Sequence, residues 1–272
     1  MRKLIFLPLA LILAACSSTE LQVMSYNIRL GVANDGENSW GQRCAATIEM
    51  LNDVKPDIFG VQEAYDFQVN YITENIPSYG CVGVGREDGL EKGERMSVFY
   101  NTEKLELLEW GTYWLSETPD VPSLGWDAAC RRTATWTKLR MKDGGKEFFY
   151  VNTHLDHIGP EARRNGLALI VERIAGMNPD GLPMVLTGDF NVTADDPSLD
   201  DLDKMMKSAR VEAEHTDNSI TYNGFGKDTA RVIDYIYYSG FGSCDNFRVV
   251  NATYAGIPYI SDHYPITVTL KF

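Results

Sequence analysis

Apolar residues fall in short runs along most of the chain, and many runs end on a carboxylate, an amide or an imidazole. Leu21–Tyr26 reads as a strand ending at Asn27. Ser39 with Gln42 forms a capping-box pattern that opens a helix, with Cys44, Ile48 and Leu51 on one face and Pro56 beyond its end. Asp57–Gln62 is a short apolar strand that stops at Glu63, and Val69, Ile72 and Ile76 place a second helix from Asp66. The middle of the chain is strand-rich: Arg95–Tyr100, Leu105–Leu115, Thr133–Met141 and Glu147–Asn152 carry the β-branched and aromatic residues of strands, with a hairpin turn at Asp143-Gly144-Gly145. Glu161–Ala175 reads as a helix closed by Gly176. Strands follow at Pro183–Thr187, Val232–Tyr238, Phe247–Tyr254 and Ile266–Phe272, with a helix near Pro197–Ser208. Strands outnumber helices, and hairpins mix with β-α-β-like stretches. That predicts an α+β protein in which two mixed sheets pack on each other with helices outside.

The N-terminus is read apart from the fold. Arg2 and Lys3 precede an apolar stretch from Leu4 to Ala15. Roughly a dozen residues are too few for a bilayer crossing, which takes about 20, so 1–15 is expected to be a cleaved export signal. Leu13-Ala14-Ala15-Cys16 resembles the lipobox of bacterial lipoproteins, in which the cysteine is acylated and becomes the mature N-terminus; the alternative is an ordinary secretory signal with an incidental cysteine. On the lipoprotein reading, 16–20 is a lipidated tether and 21–272 a single domain, because no repeat, low-complexity tract or linker interrupts it. A tether of about five residues reaches under ~20 Å, so the domain is expected to sit against a bacterial membrane, on its periplasmic or outer face.

Charge and cysteine content narrow the chemistry. The chain carries 25 basic and 38 acidic residues, a formal net charge of −13; cleavage after Ala15 removes Arg2 and Lys3 and makes it about −15. Such a field disfavours non-specific binding of polyanions, although a bound cation reverses the local sign. Cys44, Cys81, Cys130 and Cys244 are far apart and form no CxxC, which argues against a zinc cluster; they are expected to be buried free thiols.

The candidate chemistry sits at strand ends. Asn27, Glu63, His154, Asp189 and Asn191 each follow an apolar run, Asp234 lies inside Val232–Tyr238, and Asp262-His263 precedes the last strand. Strand ends hold side chains rigidly at a sheet rim, where preorganised sites are built. Hard oxygen donors of this kind favour Mg²⁺ or Mn²⁺, with Ca²⁺ a further alternative, over zinc. No Ser/His/Asp or Cys/His nucleophile pattern is present. Taken singly, each residue has a blander reading as a turn former, helix cap or buried acid, and His157 and His215 read as surface or supporting histidines.

Taken together they are recognisable. Ser25-Tyr26-Asn27-Ile28-Arg29, Gln62-Glu63, Asn152-Thr153-His154-Leu155, Gly188-Asp189-Phe190-Asn191, Ile233-Asp234-Tyr235-Ile236 and Ser261-Asp262-His263 occur in this order. They resemble the endonuclease/exonuclease/phosphatase superfamily, which includes pancreatic deoxyribonuclease, abasic-site endonucleases, inositol-polyphosphate phosphatases and neutral sphingomyelinases. Asp35–Trp40, Val82–Gly89 and Trp114–Pro119 further resemble a branch of secreted bacterial members. The resemblance implies a four-layer α/β/β/α sandwich. It implies Glu63 as principal metal ligand, Asn27 beside it and Asp262 as a second acidic contact. Asp189 would orient or deprotonate the attacking water, and Asn191 would hold a phosphoryl oxygen. His263, paired with Asp234, would stabilise transition-state charge or act as acid/base, and His154, with Glu94 as its partner, would contact the phosphate. Arg131 and Arg132 are candidates for a second anionic group of the substrate, against a reading as a solvated turn. Trp40, Trp114 and Trp126 read as packing residues rather than substrate platforms.

The resulting expectation is a metal-dependent hydrolase of a small or headgroup-sized phosphate ester, acting as a monomer and held to a membrane by its anchor. A nuclease of the same fold is the alternative, but no Lys/Arg cluster suggests the basic groove that tracks a nucleic-acid backbone. A non-catalytic binding lipoprotein is the alternative of another class; it would be expected to have lost ligands that are all present here.

Overall fold

The computed structural model describes residues 19–272; the predicted export signal, Cys16 and most of the tether lie outside the described residues. In chain order the elements are β1 Glu20–Asn27, α1 Trp40–Val54, β2 Ile58–Gln62, α2 Asp66–Asn75, β3 Tyr79–Val82, β4 Val98–Asn101, β5 Leu105–Trp114, β6 Thr133–Met141, β7 Glu147–His154, α3 Pro160–Met177, β8 Met184–Asp189, α4 Asp200–Met205, β9 Lys207–Ser208, α5 Ala209–Glu212, β10 Asp234–Ser239, β11 Ser243–Val249 and β12 Ile266–Lys271. Two six-stranded sheets result, ordered β11-β12-β1-β2-β4-β3 and β5-β6-β7-β8-β10-β9. Each holds one parallel pair, β1–β2 and β7–β8, among antiparallel neighbours, so both are mixed.

The sheets pack face to face through Val23, Ile58, Val98, Tyr150, Val185, Ile236, Ile266 and Val268. Outside the first sheet α1 and α2 bury Met50, Leu51, Val69 and Ile72 against Tyr26, Phe59 and Phe99. Outside the second, α3 and α4 bury Leu167, Ile170, Ile174 and Leu202 against Val151, Leu186 and Tyr237. This is the expected four-layer sandwich.

Nearer the strand ends that carry the candidate residues, the space between the sheets turns polar. Gln62 Nε2 donates to Asn152 Oδ1 at 2.6 Å, and Asn152 Nδ2 donates to the carbonyls of Val61 (2.8 Å) and Ser97 (3.2 Å). Thr187 Oγ1 donates to Tyr150 Oη (2.8 Å), which donates to Met24 O across the interface (3.1 Å). Gln62, Asn152, Thr187 and Tyr150 are all without solvent exposure. These bonds fix the register of one sheet on the other, because an unpaired group at that depth costs about 1–3 kcal/mol.

Several elements depart from the sequence pattern for identifiable reasons. The Ser39 side chain caps nothing. A side-chain cap forms instead at α2, where Gln68 Oε1 accepts from Tyr65 N and also from Gly31 N. The buried face of α1 is Arg43, Ala46, Thr47 and Met50, with Cys44 and Ile48 half-buried at its edge. Helix α3 runs through Gly176 to Met177, and Asn178 closes it by exchanging side-chain bonds with the backbone of Leu182. Strand β4 begins at Val98 rather than Arg95, whose guanidinium is drawn aside to Asp66 and Gly83 O. Strand β11 is bulged between Asp245 and Arg248 and ends at Val249. The segment near Pro197–Ser208 divides into a 3₁₀ turn, α4 and the two-residue β9. Strand β3 carries too little alternation to be read from sequence.

Candidate active site

The parallel pairs bring their C-terminal ends to one edge. Asn27 lies opposite Gln62, which is followed by Glu63, and His154 lies opposite Asp189. β10 runs antiparallel to β8, so its first residue, Asp234, meets Asp189. Ser261-Asp262-His263 arrives on the loop before β12, anchored by Ser261 Oγ donating to Asn27 O at 2.7 Å. Glu63, Asn191 and Arg29 adopt left-handed backbone (φ 61°, 53° and 61°), an uncommon conformation that clusters at functional sites.

One hydrogen-bonded cluster results. Asn27 Nδ2 donates to Glu63 Oε1 at 3.0 Å and to Asp189 Oδ2 at 2.9 Å, and lies 3.4 Å from His263 Nε2. His263 Nδ1 bonds Asp234 Oδ2 at 2.9 Å. Glu63 Oε2 accepts from Leu30 N at 2.9 Å. Arg29 Nη1 stands between Glu63 Oε2 (3.9 Å) and Asp262 Oδ2 (3.5 Å). Glu63, Asp189, Asp262, His263 and Arg29 line a cleft of about 430 Å³ together with His154, Asn191, Arg86, Glu94, Arg132, His157, Tyr222 and Arg231, with Asn27 and Asp234 behind them.

The electrostatics follow from burial and proximity. Burial alone would push the His263 imidazolium down, but Asp234 and Asp189 more than offset it and hold the ring protonated, up to about 10. Burial raises the Asp189 carboxyl to about 7; His263 opposes this, whereas Asp234 and Glu63 add to it. Asp262 is raised by burial and by Glu63. Glu63 is held low despite its burial, by His263, the Asn27 amide, Leu30 N–H and Arg29. His154 is driven well below the usual histidine range by burial and by Arg132, Arg86 and His263, so it is neutral. Two imidazoles in one cleft thus differ in charge: His263 is cationic and His154 is not.

The cluster fits a divalent cation. Glu63 and Asp262 are close enough for one guanidinium to lie between them, and Asp189 and His154 present ligand atoms within 4.8 Å of a Glu63 carboxylate oxygen. Crowded carboxylates with raised proton affinity are what a bound cation relieves.

Two expectations need correction. Glu94 does not pair with His154: both its oxygens are taken by Arg86 (Nη1–Oε2 2.8 Å, Nη2–Oε1 2.7 Å), a bidentate geometry that an imidazole cannot match. His154 Nδ1 has no hydrogen-bond partner among the described residues. Arg131 does not reach the cleft. Consecutive residues entering a strand point to opposite sides, so Arg132 lines the cleft while Arg131 pairs with Glu87 outside it. Asn191 holds the neutral imidazole, its Nδ2 lying 3.0 Å from His154 Nε2 and 3.1 Å from Leu155 O.

Among the described residues Cys44, Cys81, Cys130 and Cys244 are free; Cys244 is buried and the other three are half-buried. His215 is a surface residue paired with Asp245, whereas His157 stands at the cleft rim, with Nδ1 3.0 Å from Arg132 Nη2. Trp40 and Trp114 are buried packing residues, and the Trp114 indole N–H holds Arg86 O at 2.7 Å.

Three wall residues, Arg86, Tyr222 and Arg231, and the buried Asp156 behind them carry no role in the sequence reading. Arg86 lies in a glycine-rich loop. Arg231 stacks on the Tyr222 ring at 3.9 Å, and that ring meets His263 edge-on at 4.9 Å, on a segment with no periodicity. Asp156 had a readable signal: Asp156-His157-Ile158-Gly159 is an Asx turn, with Oδ1 accepting from Ile158 N and Gly159 N. Its other oxygen accepts from Ala129 N and Arg132 Nε, which sets the Arg132 guanidinium in the wall.

Known proteins share this frame. The sequence profile of the endonuclease/exonuclease/phosphatase family matches residues 24–263. A solved structure described as a mannosyl-6-phosphatase of Bacteroides thetaiotaomicron is 36% identical, with a TM-score of 0.89, covering 93% of this chain and 100% of that one. A second family structure from Bacteroides thetaiotaomicron is also 36% identical, with a TM-score of 0.88, covering 94% and 98%. An uncharacterized protein of Acanthamoeba polyphaga mimivirus is 26% identical over 92% of this chain and all of its own length. With the sandwich, the strand-end cluster and the profile in agreement, the chain belongs to the endonuclease/exonuclease/phosphatase family and is a hydrolase of phosphoric ester bonds.

Proposed function

We propose that the protein hydrolyses a small phosphate ester, a sugar phosphate monoester being the best-supported class, by attack of water assisted by a divalent cation. The observation that carries the reading is the buried His263 ring, set against Asp234 at 2.9 Å and facing Asp189 and Asn27, with Glu63 on the other side of Asn27. Glu63 and Asp262 would hold the cation, with Asn27 positioning Glu63. When bound, Mg²⁺ or Mn²⁺ supplies charge that neutralises phosphoryl oxygens.

The chain's own residues do the rest. Asp189, with a carboxyl near 7, is poised to orient and deprotonate the attacking water. His263 remains protonated and presents positive charge where the phosphoryl and leaving oxygens become more negative. His154 is neutral and held by Asn191, so it offers one ring nitrogen to the phosphate without adding charge. The cleft is of small-ligand size. Its Arg86–Glu94 pair, Arg132 and Tyr222 offer hydrogen-bonding partners to a polyol. The relative described as a mannosyl-6-phosphatase supports the same class. On this reading the protein is an exported bacterial lipoprotein, acylated at Cys16, of the secreted branch of the family.

The test is a comparison of initial rates at low and high salt, with Mg²⁺, on mannose 6-phosphate, a nitrophenyl diester and duplex DNA. The expected result is phosphate release from the monoester with weak salt dependence. Efficient duplex cleavage that collapses with added salt, without turnover of the small esters, moves the assignment to a nuclease.

A further inference from the structure

The site and the start of the domain lie at opposite ends of the sandwich. β1 enters at Glu20 and delivers Asn27 to the cleft seven residues later; at about 3.3 Å per residue that is ~23 Å. The entry point is pinned. Phe272 N donates to Thr19 O at 3.1 Å, Glu20 pairs in register with Lys271, and Lys271 Nζ lies 3.1 Å from Glu20 Oε1. The turn after β6 shares this end, since a Cβ at Gly144 would stand 3.4 Å from Thr19 Oγ1. Lys104 and Lys142 lie at this end beside Glu20, Glu103 and Asp143, with Lys271 at the end of β12, in a chain of net charge −13. Lys104 pairs with Asp57 and Lys271 with Glu20, while Lys142 Nζ donates to Thr102 O at 2.7 Å, so this edge mixes both signs, and the tether rather than a basic patch sets the orientation.

The tether is too short to turn the domain over. Ser17, Ser18 and Thr19 alone separate Cys16 from Glu20, and four residue steps span at most about 14 Å. For the cleft to open onto the bilayer that holds the acyl chains, Glu20 would have to stand ~23 Å or more above it. Resting on the proposed acylation of Cys16 and on the phosphoesterase reading, we propose that the cleft faces away from the anchoring membrane. The enzyme then takes a water-soluble ester, and phosphate headgroups of its own leaflet are beyond its reach. The exposed Leu90, Leu124 and Ile158, on loops at the cleft end, are the competing membrane face, and the test separates the two.

The lipidated chain is reconstituted in phosphatidylethanolamine/phosphatidylglycerol vesicles, with a fluorescent amino acid placed at Asp143 or at Leu124, and titrated with headgroup spin-labelled lipid. Contact-range quenching several-fold stronger at 143 than at 124 is expected. Equal or stronger quenching at 124 overturns the orientation, and quenching at neither position overturns the anchoring on which it rests. In a parallel arm, vesicles containing phosphatidic acid should release no phosphate while added mannose 6-phosphate turns over at the rate of the Cys16→Ser protein. Release from phosphatidic acid in the same vesicles overturns the proposal. Because quenching reads position whether or not the enzyme turns over, a failure of the hydrolase reading shows only in the activity arm.

Discussion

Gly60 lies on β2 directly beneath Asn152, and an added Cβ would stand 2.3 Å from Asn152 Cγ and 2.4 Å from its Oδ1. Gly60→Ala therefore drives a methyl into a side chain that has nowhere to go. Overpacking of this kind costs about 3 kcal/mol. Asn152→Ala acts on the same place from the other side. It removes the acceptor of Gln62 and the donor to Val61 O, and two buried partners left unpaired cost about 3–5 kcal/mol. In the double variant most of the clash is gone, so its total should be about 4–5 kcal/mol rather than the sum, a coupling of roughly 2 kcal/mol between residues in contact. The assay is urea unfolding of the wild type, both single variants and the double variant, supported by thermal melts. About 2–4 °C per kcal/mol applies for a chain of this size, so Gly60→Ala alone should lower Tm by roughly 6–12 °C. Gln62 precedes Glu63, so both single variants should also lower kcat by displacing the carboxylate. A Gly60→Ala cost below ~0.5 kcal/mol, or strict additivity in the double variant, would refute the reasoning that this polar layer registers the sheets and supports the site.

Other variants test the site group by group. His263→Ala should be nearly inactive and Asp234→Asn impaired by about 10²-fold or more, because the ring loses its orientation and its charge; near wild-type turnover of both on a confirmed substrate would remove the role given to the pair. Asp156→Asn should destabilise the fold by about 2 kcal/mol at neutral pH. Burial alone would raise that carboxyl, but the N–H groups of Gly159, Ile158 and Ala129 and the Arg132 guanidinium hold it at about 2. A folded-state value below the unfolded one stabilises above the unfolded value and is lost as pH falls toward 2, so the gap between wild type and variant should narrow from pH 4 to pH 2. A pH-independent gap in urea unfolding would contradict it. Arg131→Ala should leave KM unchanged, whereas Arg132→Ala should raise it, a contrast read directly from steady-state kinetics.

The strand ends were legible because apolar runs and the polar residues that stop them sit next to each other in sequence: Val61-Gln62-Glu63 and Thr187-Gly188-Asp189 announce their own rim positions. Partnerships between segments were less so. The resemblance pairs Glu94 with His154, and nothing local in the sequence shows that Arg86, eight residues earlier, takes both of its oxygens. Arg131 and Arg132 are equivalent as letters, and only the entry of the chain into β6 decides which one faces the cleft. The stop of α3 was misplaced because Gly176 is a common cap residue, whereas Asn178 closes the helix through bonds to Leu182 that depend on the following turn. Tyr222 and Arg231 lie in a stretch held by individual contacts rather than by a repeating pattern, which leaves no periodic signal to read.

The most direct test of the account is a joint measurement on wild type and Glu63→Gln: Mg²⁺ binding by calorimetry, and phosphate release from mannose 6-phosphate across the same Mg²⁺ series. The account predicts saturable Mg²⁺ binding and Mg²⁺-dependent release by the wild type, abolished by EDTA. In the variant, both should fall by orders of magnitude while its unfolding transition stays near that of the wild type. Full turnover in EDTA, or by Glu63→Gln, would contradict the assignment of this cleft as a metal-assisted phosphoesterase site.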